Sequence, residues 1–390
     1  MASAENKCRN VRSADVKGVV RYLCDVNGAT QAATSPPSPM SRPESVNALA
    51  FDPSGTHLVG GTGLGRLHVW VFDASSASGK TPPTRKCSVR AHGCSIYALE
   101  LKPTSSTGRL MLLSGADEEI CGWWWDDVLA AADGGALPAP ALRLENARVA
   151  LRRGALGQLS ETSALTVDAA SARLYSASGD GNAYVWDLAT QSCVATYTGV
   201  GEPLHCLTLC KRRGQLVTGG EDGTVRLWDV RSAKCTQALL PDAPPLVTST
   251  TPVGGGGGGG GGWCGCVATD AAETWLVAGW SEGFLCSIDL NTYAAVACLP
   301  TAAAPLAACF EPGSDFHLVS IGAEPGLYHW RLTGELETRA TCSSPSALGL
   351  AISKLPGGGD PVIAVGGSAG TVDLFTDTSH RAFTLRVQDS

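Results

Sequence analysis

The chain contains a short segment that recurs along its length and has the pattern of two β-strands joined by a tight turn. The clearest copy, LVTGGEDGTVRLWD, spans Leu216–Asp229, and a second copy, LYSASGDGNAYVWD, spans Leu174–Asp187. Both copies carry Asp-Gly at the turn, where the backbone favours a positive φ, and both end in an alternating strand with a Trp. Such a recurrence constrains the fold strongly, because each unit can bury its apolar faces only against neighbouring units.

Five weaker copies accompany the two clear ones. They end in an aromatic or aliphatic residue at the Trp position and span Leu58–Trp70, Met111–Trp123, Trp275–Ile288, Leu318–Trp330 and Ile363–Phe375. An alternating apolar strand precedes each copy: Val46–Phe51, Ile96–Leu101, Ser163–Val167, Leu204–Leu209, Cys264–Ala268, Pro305–Phe310 and Ala347–Ile352. Repeats of about 40–45 residues built from short strands are typical of propellers. The sequence therefore predicts an all-β fold, a seven-bladed WD-repeat β-propeller with long inter-blade loops.

The repeat also predicts the domain organisation. We expect a flexible N-terminal arm at residues 1–43 and a single propeller at residues 44–390. Blades are expected near residues 46–73, 92–125, 162–188, 204–230, 263–290, 304–332 and 346–387. Flexible insertions are expected at residues 74–90, 126–159 and 241–262, the last of which ends in nine consecutive Gly. The outer strand of blade seven is either Ala382–Val387, favoured because it follows Phe375 after one turn, or Val19–Cys24.

Charge and hydropathy exclude two classes of partner. The net charge is −7, whereas proteins that bind nucleic acid by themselves usually present a basic surface. We therefore expect no direct binding to nucleic acid. No apolar run approaches the ~18 residues that a membrane span needs, so no membrane contact is expected.

The chemistry-bearing residues form no familiar catalytic or metal-binding pattern. None of the 15 Cys pairs as CxxC, and several occupy apolar strand positions, as small buried hydrophobes do: Cys206, Cys210, Cys266, Cys286 and Cys309. The 7 His include no HxH or HExxH pair. We therefore predict no metal, no cofactor and no enzyme activity.

Ten polar and aromatic residues are predicted to have a structural role within blades. They are His92, Ser114, Asp117 and Trp123 in blade two, Ser176, Asp180 and Trp186 in blade three, and Thr218, Asp222 and Trp228 in blade four. A His before the inner strand can bond a Ser or Thr of the next strand, and through it the Trp beyond, in a buried chain. Blade four has Val200 at the His position, so the networks are expected to be partial.

The run Trp123-Trp124-Trp125 stands apart from the repeat. Strand alternation places Trp123 and Trp125 on one side and Trp124 on the other. One interpretation is packing against the insertion that follows. The other makes Trp124 and Trp125 aromatic anchors for a protein partner, since Trp is prominent in interface hot spots.

The order of the weaker blades resembles the THO complex subunit 6 family, a WD-repeat subunit of the THO/TREX mRNA export complex. The resemblance rests on these segments: Ala91–Leu99, Leu112–Asp117 with the Trp run, Gly219–Lys234, Trp263–Asp270, and Asp373–Asp377 with Arg381–Leu385. It implies a non-catalytic nuclear scaffold subunit that contacts other THO subunits and supports mRNA processing and export. Contact with RNA would then be indirect. The sequence leaves self-association open.

Two alternatives remain. The segment Trp228-Asp229-Val230-Arg231 is similar to the WDxR box of WD proteins that act as substrate receptors for cullin-RING ubiquitin ligases. Asp229 and Arg231 would then contact the ligase adaptor. The other alternative is a WD-repeat scaffold of an unrelated complex.

Overall fold

The computed structural model describes residues 44–77, 79–104, 108–117, 119–146, 160–240, 262–354, 361–376 and 379–387. Within these ranges seven antiparallel sheets form, each of four strands that follow one another in the chain. This confirms the seven-bladed propeller. No helix in the ranges above is long and apolar enough to span a bilayer. The predicted arm at residues 1–43 lies outside the described residues.

The strands of the seven blades have the following bounds. Blade one contains β1 (Val46–Phe51), β2 (His57–Thr62), β3 (Arg66–Val71) and β4 (Thr84–Arg90), and blade two β5 (Ile96–Pro103), β6 (Leu110–Ala116), β7 (Glu119–Trp124) and β8 (Leu142–Glu145). Blade three contains β9 (Thr162–Asp168), β10 (Arg173–Ser178), β11 (Ala183–Asp187) and β12 (Ser192–Tyr197), and blade four β13 (Leu204–Cys210), β14 (Gln215–Gly220), β15 (Val225–Asp229) and β16 (Lys234–Leu239). Blade five contains β17 (Cys264–Thr269), β18 (Trp275–Trp280), β19 (Phe284–Asp289) and β20 (Ala294–Pro300), and blade six β21 (Pro305–Phe310), β22 (His317–Gly322), β23 (Glu324–Arg331) and β24 (Leu336–Thr341). Blade seven contains β25 (Ala347–Ser353), β26 (Val362–Gly367), β27 (Thr371–Phe375) and β28 (Arg381–Arg386).

Burial falls from the second strand of a blade to its fourth. All six residues of β26 are buried, whereas five of the six residues of β16 are exposed. The second strand is covered on both faces by neighbouring blades, which explains its nearly continuous apolar sequence. The fourth strand is an edge, and polar residues suit it.

Glycine near the end of the second strand lets adjacent blades approach closely. The residues at this register are Gly61, Gly115, Gly219, Gly279 and Gly366. A Cβ atom at Gly61 would lie 2.7 Å from Ile96 Cγ2 in blade two, and one at Gly219 would lie 2.6 Å from Cys264 Sγ in blade five. Any side chain at these positions would meet the first strand of the next blade, so the glycines determine how closely the blades pack.

The C-terminal strand completes blade seven. Strand β28 pairs antiparallel with β27, so the favoured segment Ala382–Val387 was predicted correctly, and Val19–Cys24 lies outside the described residues. Blades seven and one then share an apolar cluster that includes Val46, Trp70 and Leu374. This packing of side chains joins the end of the ring to its beginning.

Two of the predicted flexible insertions contain regular structure. Residues 74–90 contain α1 (Ala74–Ala77) and β4, and residues 126–159 contain most of α2 (Trp125–Ala130) and all of β8. The prediction of flexibility was wrong for these elements, because each of the first six blades was expected to end after its third strand. Residues 147–159 and 241–261 lie outside the described ranges.

Candidate partner-binding surface

Three buried Trp side chains donate to a hydroxyl ten residues earlier on the paired strand. Trp186 Nε1 donates to Ser176 Oγ and Trp228 Nε1 to Thr218 Oγ1, each at 2.9 Å. In blade six, Trp330 Nε1 donates an equivalent hydrogen bond of 2.9 Å to Ser320 Oγ. The first two pairs were predicted. The third was missed, although its ten-residue spacing is visible in the sequence.

The network in blade two forms only in part. His92 Nε2 lies 2.7 Å from Ser114 Oγ, and the His92 ring meets Trp123 edge-on at 5.7 Å between centroids. Trp123 Nε1, however, donates to the carbonyl oxygen of Pro138 at 3.1 Å. The predicted continuation from Ser114 to Trp123 was therefore wrong, because the segment after α2 brings a carbonyl to the indole.

The aspartates at the turns between second and third strands stabilise those turns. In both Asp180 and Asp222 one carboxylate oxygen accepts from the backbone N–H two residues later at 3.0 Å. The other oxygen accepts from the side chain four residues later, Tyr184 in blade three and Arg226 in blade four. Burial raises the pKa of Asp222, but the hydrogen bonds from Arg226 and Thr224 outweigh this effect and hold the pKa below its usual value.

Asp117 belongs to an acidic rim at the ends of the inner strands of blades two to four. Burial and the neighbouring Asp117 raise the pKa of both Tyr97 and Glu161. His205 Nε2 lies 2.7 Å from Glu221 Oε2, and this bond is the main reason that the pKa of Glu221 is lowered. The rim has no signature in the sequence, because its members come from three blades and share no motif.

The antiparallel order of strands divides the turns between two faces of the propeller. We call the face with the turns between second and third strands the top face, and it carries Asp117, Asp180 and Asp222. The bottom face carries the turns between first and second and between third and fourth strands. The remaining candidates Trp124, Asp229 and Arg231 all lie at the bottom face.

The two Trp candidates differ in exposure. Trp125 is only 4% exposed, begins α2 and packs edge-on against His57 at 5.8 Å between centroids. The prediction that Trp125 anchors a partner was wrong. The chain enters α2 at Trp125, and this path buries the side chain against blade one. Trp124 is half-buried on the opposite side, with the Arg109 guanidinium 4.4 Å from its ring centroid. Arg109 in turn lies 3.4 Å from Asp126, so polar groups flank the exposed part of the indole.

Asp229 stabilises the turn that presents Arg231. Its Oδ1 accepts from the backbone N–H groups of Arg231 at 3.1 Å and Ser232 at 2.7 Å. The bonds from Ser232 are the main reason that the pKa of Asp229 is lowered. Asp187 and Asp289 accept from backbone N–H groups in the matching turns of blades three and five, so this is a repeated structural role. Arg231 itself is exposed.

Comparison with known proteins agrees with this architecture. The family model "WD domain, G-beta repeat" matches residues 40–70 and 191–229. THO complex subunit 6 homolog of Rattus norvegicus is 28% identical over 341 residues, which are 86% of this chain and 91% of that protein. THO complex subunit 6 of Homo sapiens gives the same identity and coverage. The chain carries WD repeats and is similar to THO complex subunit 6 proteins over most of its length.

The plant relative aligns over a shorter stretch. THO complex subunit 6 of Arabidopsis thaliana is 29% identical over 247 residues, 63% of this chain and 61% of the relative. The rat and human alignments, by contrast, extend over most of the propeller. The likeness therefore includes the weaker blades as well as the two clear repeats.

Proposed function

We propose that this protein is a non-catalytic WD-repeat subunit of the nuclear THO/TREX complex. It would hold other THO subunits together and so support mRNA processing and export. The observation that carries this proposal is the alignment with rat and human THO complex subunit 6 over 91% of their lengths. An alignment of that extent includes the loops between blades, where binding usually resides.

A scaffold role is further supported by how the polar groups of the blades are used. The hydroxyls of Ser176 and Thr218 accept from buried Trp indoles, and the Asp222 carboxylate pairs with Arg226 at 2.6 Å. These groups stabilise blades and turns. The net charge of −7 favours contact with RNA through partners rather than directly.

Affinity purification tests the proposal. The tagged chain, expressed in cells of its own organism, should localise to the nucleus and recover THO subunits from nuclear extract, identified by mass spectrometry. A reproducible set of partners without any THO subunit would contradict the proposal and favour a scaffold of another complex.

We place the partner contact at Trp124 on the bottom face. Trp124→Ala should lower recovery of THO subunits at least tenfold, as expected when a hot-spot Trp is removed. The melting temperature of the isolated protein should change little, because Trp124 is half-buried at the periphery. Phe316→Ala, which removes a 62% exposed aromatic side chain from the bottom face of blade six, is the matched control. Loss of recovery in the control but not in Trp124→Ala would place the contact elsewhere.

The exposure of Arg231 favours testing the ligase-receptor alternative as well. If that alternative holds, Arg231→Ala should weaken binding to the cullin-RING adaptor at least tenfold while leaving the blade folded. Lys234→Ala, which removes the exposed cation at the start of β16, is the matched control. Absence of adaptor binding by the unmodified protein would end this alternative and leave the THO proposal intact.

A further inference from the structure

Three potential metal ligands meet at the top face, at the junction of blades one and two. His92 precedes β5, whereas Glu119 and Cys121 occupy alternate positions of β7 and so share one side of it. One ligand atom from each residue lies within 4.8 Å of the other two. Cys121 is 1% exposed, and the Glu119 side chain is 21% exposed, so the cluster reaches solvent through the carboxylate.

His92 directs an unpaired nitrogen into this cluster. Its side chain is 1% exposed, and its Nδ1 has no hydrogen bond within the described parts of the chain. The closest carboxylate oxygen, Glu119 Oε1, is 3.7 Å away, which is too long for a hydrogen bond. Buried polar atoms are nearly always paired, so this nitrogen points to an additional ligand.

The groups around the cluster orient its donor atoms. Ser114 Oγ lies 2.7 Å from His92 Nε2. If Nε2 carries the proton and donates to Ser114, Nδ1 is left with a free lone pair. Arg143 Nε lies 3.2 Å from Glu119 Oε2, so the other oxygen, Oε1, faces His92. Outer hydrogen bonds that fix the tautomer of a His and the direction of a carboxylate are characteristic of metal sites.

We propose that His92, Glu119 and Cys121 bind Zn²⁺, with water at the remaining position. Imidazole, carboxylate and thiolate are the usual ligands of zinc. Zinc bonds of about 2.0–2.3 Å separate tetrahedral ligand atoms by about 3.3–3.8 Å, so the cluster needs to contract only slightly. Binding releases the Cys121 thiol proton to solvent, and the thiolate and carboxylate then balance the charge of the ion. Zinc would thereby join the loop between blades one and two to β7.

Cobalt binding tests the proposal, because a Co²⁺–thiolate bond gives an absorption band in the near ultraviolet. The purified full chain should bind one Co²⁺ with such a band, and Zn²⁺ should displace it. Cys121→Ser should abolish the band. Cys286→Ser, which alters the buried thiol at the matching position of blade five, should retain it.

A second variant protects the test against misfolding. Glu119→Gln alters a partly exposed side chain and should weaken Co²⁺ binding at least tenfold, with circular dichroism unchanged. The proposal is wrong if the unmodified chain binds no Co²⁺. It is equally wrong if the band is absent from the unmodified chain or survives in Cys121→Ser.

Discussion

Replacement of Trp228 by alanine is expected to lower the free energy of unfolding by about 3–5 kcal/mol. Trp228 is 3% exposed and packs in an apolar cluster shared by blades three and four, with Tyr197 edge-on at 5.7 Å between centroids. Truncation would leave a cavity between two blades that cannot collapse freely. Urea denaturation of the two proteins measures the difference.

The hydrogen bond within this cluster can be tested separately. Thr218→Val removes the acceptor of Trp228 Nε1 and should cost about 1–3 kcal/mol, because the indole N–H stays buried without a partner. Thr218→Ser keeps the hydroxyl and should cost clearly less. In the Trp228→Phe background there is no indole N–H to leave unpaired, so Thr218→Val should cost less there than in the unmodified protein. The costs of Thr218→Val and Trp228→Phe should therefore be non-additive. Additive costs for Thr218→Val and Trp228→Phe would show that the bond contributes nothing.

Gly366→Ala is expected to destabilise the junction of blades seven and one by about 1–3 kcal/mol. An added Cβ would lie 2.8 Å from Val46 Cγ1 and 3.0 Å from the Val46 carbonyl oxygen, so the inner strand of blade one must shift. Gly93→Ala is the matched control, since a Cβ there meets no atom within 4 Å, and it should change stability by less than about 0.5 kcal/mol.

Val46→Ala provides a check on the cause. It should be destabilising alone, yet in the Gly366→Ala background it should cost less, because it removes one of the two clashing groups. A Gly366→Ala protein as stable as the unmodified chain would contradict the close packing at this junction.

The repeat predicted the blades because its signals are local. Alternation marks the inner strands, Asp-Gly marks the turns, and the ten-residue spacing of Thr218 and Trp228 follows from strand pairing. The fourth strands β4 and β8 could not be predicted in this way. Their outer position at the sheet edge requires no repeated apolar pattern, and longer connections separate them from the third strands.

The candidate sites depended more on tertiary structure than the blades did. Strand alternation placed Trp123 and Trp125 on the same side of the chain, and both are buried. Only the path of α2 shows that Trp125 packs against blade one. The cluster of His92, Glu119 and Cys121 also escaped prediction. His92 is distant in the chain from Glu119 and Cys121, and metal motifs are recognised by short spacing between all their ligands.

Direct binding to THO subunits is the test of the proposal that this propeller is a THO subunit. The purified chain should co-elute in gel filtration with a complex of the other THO subunits from the same organism, and Trp124→Ala should elute separately. Separate elution of the unmodified chain at micromolar concentration, with both samples folded, would contradict the proposal.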